Sequence, residues 1–80
     1  MKLKRIATNL SSLDLGTNKI YYSYETPVAI LVDGHLTVSE NIWSTTTGAH
    51  LTKIDSGSKA ARAARVPFAD FTAELAKLGA

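Results

Sequence analysis

Cysteine is absent from this chain of 80 residues, so neither a disulfide nor a thiolate metal site can staple the fold. Long apolar runs are missing too. The longest, residues 28–32, falls far short of the roughly 18 residues that a bilayer-spanning helix needs. The opening M-K-L-K-R is not followed by the apolar stretch of a secretory signal, which makes the cytoplasm the expected location, with no membrane partner. There is no internal repeat or low-complexity tract. The expectation is a single domain, residues 1–80, near the lower size limit for a self-supporting core. Such a core contributes on the order of 3–5 kcal/mol, so dimerisation or partner binding would add materially to stability.

Acidic residues are scarce where the cations gather. The net charge is only +2, yet Lys2, Lys4 and Arg5 cluster early, and Lys53, Lys59, Arg62 and Arg65 cluster late with Asp55 as the one local anion. Charge runs are usually solvated helix faces. The sharper reading is a footprint for phosphate or for an acidic protein surface.

The periodicities predict an α+β fold: a small, mainly antiparallel sheet of three or four strands packed against one or two helices, the C-terminal helix spanning about 67–78 and covering one face. Residues 3–7 suit a short edge strand guarded by charge. Residues 9–18 are rich in Ser, Asp, Gly and Asn and read as a loop pinned by Leu10, Leu13 and Leu15. In the strand 19–25, Ile20, Tyr22 and Tyr24 share one face. Pro27 cannot donate to a ladder and implies an edge, a bulge or a corner. Residues 28–32 form the next strand, with Val28, Ile30 and Val32 facing one way. Asp33-Gly34 supplies a type I′ hairpin turn, and 35–40 returns with Leu36 and Val38 inward.

Beyond Trp43 the period changes. Thr47, His50, Leu51 and Ile54 recur at helical spacing behind a Ser44 N-cap. Three threonines and Gly48 disfavour helix by propensity, which keeps a strand over 50–54 as the competing reading. Residues 55–58 form a linker and 59–65 a helix. Pro67 takes the first position of the last helix, whose stripe is Phe68, Phe71, Leu75 and Leu78 and whose stop is Gly79.

The candidate chemistry is sparse. Ser44, His50 and Asp55 have the residue types of a hydrolytic triad, but no nucleophile elbow accompanies them, and positions 44 and 50 diverge on a helix. His35 and His50 match no metal-ligand spacing. Thr45, Thr46 and Thr47 could meet an anion at a helix start, although capping explains them more simply. Trp43 reads as core packing before recognition anchor. The expectation is therefore no enzyme, cofactor or metal. The binding set is Lys53, Lys59, Arg62 and Arg65, joined by Tyr21 if that face is exposed.

S-Y-E-T-P-V-A at 23–29 and N-I-W-S-T-T-T-G-A-H-L at 41–51 resemble motifs of a group of small tailed-bacteriophage proteins. The resemblance covers about half of the chain and brings no catalytic residues with it. It implies a phage origin, expression in the cytoplasm of a bacterial host, and an accessory role in binding a host protein or ribonucleoprotein complex. Inhibition of a host defence system such as CRISPR is the sharpest version. The alternative is a nucleic-acid-binding module using the basic patch with exposed aromatic residues. An unpaired edge at 3–7 or 19–25 also leaves room for a homodimer.

Overall fold

Period-two patterning over the first half of the chain produces five strands rather than three or four. The computed structural model describes residues 2–43 and 45–78, so the Ser44 cap and the Gly79 stop lie outside the described residues. The elements are β1 (Lys2–Ala7), β2 (Leu10–Asp14), β3 (Lys19–Ser23), β4 (Thr26–Val32), β5 (His35–Val38), α1 (Thr45–Asp55), α2 (Lys59–Ala63) and α3 (Phe68–Ala76). The strands form one antiparallel meander in chain order. The α+β class stands.

The additional strand is β2, within the stretch expected to be a loop. Its backbone pairs with β1 on one side and β3 on the other. Leu10 and Ser12 are buried on its inward face. Ser12 occupies an inward position where an apolar residue would have announced a strand. Turn chemistry is confined to Thr8-Asn9, where Asn9 has φ 59°, and to residues 15–18.

Pro27 marks a bulge. Tyr21 pairs with Ala29 and Tyr22 with Pro27, leaving Val28 as the extra residue of β4. The extra residue breaks the alternation, so Val28 does not share a face with Ile30 and Val32. It packs with Ala29, Val38 and Leu51, whereas Ile30 packs with Ile20 and Phe71. β3 also stops at Ser23, which moves Tyr24 into a two-residue turn with φ 57° and 53% exposure. Asp33 and Gly34 have φ of 52° and 81°, as a type I′ turn requires. Leu36 and Val38 of β5 share a face, but only Val38 is buried; Leu36 stays exposed.

Each face of the sheet carries a helix, where the sequence suggested one covered face. Leu51 of α1, with Ile54 and Trp43 beside it, covers the face of Tyr21, Ala29 and Val38. Phe71 of α3, flanked by Phe68, Leu75 and Leu78, covers the face of Ile20 and Ile30. α3 is shorter than expected because Pro67 is its N-cap rather than its first residue and Lys77 is its C-cap. Between the helices the chain rounds the β5 edge. There Val66 N–H donates to Val38 O at 2.9 Å and Glu40 N–H donates to Val66 O at 2.7 Å. Trp43 and Phe68 meet edge-to-face beside this crossing, ring centroids 5.4 Å apart, so Trp43 is architectural.

Candidate binding groove between α1 and α2

Thr47, His50 and Leu51 are the buried residues of α1, as helical spacing requires of one face. His50 Nε2 lies 3.1 Å from Thr8 O, and Nδ1 lies 2.6 Å from Ser23 Oγ. A carbonyl only accepts, so in the neutral ring Nε2 carries the proton and Nδ1 accepts from the Ser23 hydroxyl. Thr47 Oγ1, at 3.2 Å, is then the donor to Ser23. The relay ties α1 to the end of β3 and to the β1–β2 turn. It differs from a hydrolytic triad: Ser23 is 2% exposed, and a backbone carbonyl rather than a carboxylate orients the ring. Among the described residues, the serine that His50 meets is Ser23, and its distance along the chain hid it from any motif. Among the described residues, no three His, Cys, Asp or Glu side chains gather as a metal site.

Asp55 closes the other end of α1. Arg65 Nε donates to Asp55 Oδ2 at 2.8 Å and Nη2 donates to Oδ1 at 3.1 Å, the forked geometry that holds a carboxylate firmly. Gly57 N–H donates to Oδ1 at 2.9 Å. Burial alone would raise the Asp55 carboxyl, but the Arg65 hydrogen bonds, the Gly57 amide and the guanidinium charge together hold it below the ordinary Asp value. Position 57 strongly favours glycine. Its φ is +66°, and a Cβ there would meet Thr52 Cγ2 at 2.5 Å.

This pair ties the chain just beyond α2 to the last residue of α1. Ser58 caps α2, its hydroxyl accepting from Ala61 N–H at 3.1 Å. Between the helices lies an open groove of about 450 Å³ floored by Gly48, Ala49 and Thr52 and walled by Arg62 and Arg65. Two of the five expected site residues thus share one groove. Arg65 is held by Asp55 and is mostly covered; Arg62 is exposed. Lys53 and Lys59 are exposed on the same two helices but do not line the groove. Tyr21 packs half-buried in the layer beneath α1, so the condition for including it is not met. Sequence reasoning missed the Asp55–Arg65 fork, because ten intervening residues spanning a turn and a helix give no short-range signal.

No curated protein and no solved structure matches the chain. A family model does match residues 1–71, from the free edge of the sheet to the buried Phe71 that seats α3. The chain therefore belongs to DUF8033, a family of unknown function.

Proposed function

We propose that this protein is a small phage-type accessory protein that binds a host macromolecule through the outer face of α1 and α2, its sharpest form being an inhibitor of a host defence system such as CRISPR. One observation carries the reading. Lys53, Lys59 and Arg62 are exposed on α1 and α2 and make no ion pair among the described residues, while Arg65, which lines the same groove as Arg62, is fixed by Asp55. Unpaired cations grouped next to a rigid one suit an acidic surface on a protein or ribonucleoprotein partner. The nucleic-acid alternative calls for an exposed aromatic platform beside the cations. Tyr21 lies in the layer under α1, which favours the protein partner.

The test is the variant Lys53→Glu/Lys59→Glu/Arg62→Glu, which leaves the Asp55–Arg65 fork intact. It is expected to lose most of the captured partner from host lysate while keeping the wild-type melting curve. Undiminished capture would exclude this face. Gel shifts with nonspecific DNA and RNA at two salt concentrations address the alternative, since binding to phosphates weakens steeply as salt rises.

A further inference from the structure

We infer that the free edge of β1 is a docking strip for an extended acidic segment of a partner protein, which joins the sheet as an added strand. The two edges of the sheet differ. Beside β5, Val66 forms a bridge with Ser39 and occupies part of the edge, whereas among the described residues β1 pairs with β2 alone. In an antiparallel pair each strand satisfies alternate backbone groups, so over residues 2–5, ahead of the bulge at Ile6, the remaining N–H and C=O groups of β1 point outward with no strand beyond them among the described residues.

The side chains state what could fill that edge. Leu3 is 68% and Ile6 44% exposed. Lys4 and Arg5 are exposed as well. By register, Arg5 lies opposite Ser11 and Lys4 opposite Ser12, so one cation flanks each face of the edge. On the face of Leu3 and Arg5 a cavity of about 750 Å³ opens beside the strand, lined also by Ser11, Tyr24 and Glu25. Tyr24 holds a left-handed backbone, φ 57°, which is unfavourable for a bulky residue. Strand addition takes its affinity from main-chain hydrogen bonds and its selectivity from such a side-chain pocket.

Charge selects the occupant. Antiparallel pairing of two copies about a two-fold axis at the centre of β1 would set Lys4 opposite its own copy or Arg5 opposite its own copy, and like charges directly opposite destabilise a ladder. The same two cations match carboxylates. The fitting segment has two adjacent acidic residues, one for each face, flanked by aliphatic ones that meet Leu3 and Ile6. Cations that merely guard an edge against aggregation would show no such preference.

The experiment titrates the ¹⁵N-labelled full chain with the capped peptide Thr-Val-Glu-Glu-Val-Thr and with its charge-swapped form, Thr-Val-Lys-Lys-Val-Thr. The expected result is that the acidic peptide shifts the amides of residues 3–7 and slows exchange of the outward ones, while the lysine peptide does neither. Lys4→Glu/Arg5→Glu, at two exposed positions, should weaken the acidic peptide on the order of tenfold and admit the lysine peptide. The inference is overturned by absence of shifts in 3–7 at millimolar peptide or by equal response to both peptides. It is also overturned by a β1-mediated dimer in sedimentation without peptide, or by β1 shifts that only an oligonucleotide produces.

Discussion

Replacing Ser23 with alanine removes the donor that His50 Nδ1 uses while leaving the imidazole buried. The orphaned nitrogen is expected to cost roughly 1–3 kcal/mol in urea denaturation, and an unchanged midpoint would show that the relay does not hold α1 in place. Gly57→Ala combines a left-handed backbone with a clash against Thr52. It should lose at least ~1 kcal/mol, with Thr52→Ala restoring only part of that loss because the backbone strain remains. That His50 faces inward was legible from helical spacing. Its partner was not, because Ser23 lies 27 residues away and polar networks leave no periodic trace.

At the level of elements, a carboxylate ties the chain just beyond α2 to the end of α1. The Asp55 carboxyl is held below its ordinary value of 3.8, so the stability it contributes is present above that value and is lost as pH falls through the folded value. Asp55→Asn is expected to be less stable than the wild type at neutral pH, with the gap closing in acid; a gap independent of pH would remove the fork from the account. α3 depends on a ring. Phe71 is fully buried, and Phe71→Ala should cost about 3–5 kcal/mol, most of the stability of a domain this small, visible as a large fall in Tm. The hairpin at Asp33-Gly34 and the stripe of α3 could be read from residue order, because turn chemistry and helical spacing are local. β2 could not, since Ser12 sits where an apolar residue would signal a strand. Val28 could not either, because a bulge resets the period of two on which the assignment depends.

For the whole molecule, the arrangement of layers matters most. A five-stranded meander with a helix on each face, joined round the β5 edge by Val66, leaves two surfaces of different character: the cationic groove of α1 and α2 and the free edge of β1. The late charge cluster was visible in the sequence, but its division into one fixed arginine and three exposed cations depended on a fork that only the fold creates. Among the described residues no helix is long and apolar enough to cross a membrane. The central claim is that the α1–α2 face binds a macromolecule whose contact surface is protein. Its most direct test is capture from lysate of the proposed bacterial host, with and without nuclease, by the wild type and by Lys53→Glu/Lys59→Glu/Arg62→Glu side by side. The account predicts a partner that survives nuclease on the wild type and is lost on the variant. A partner that disappears with nuclease, or one that both proteins retain equally, would contradict it.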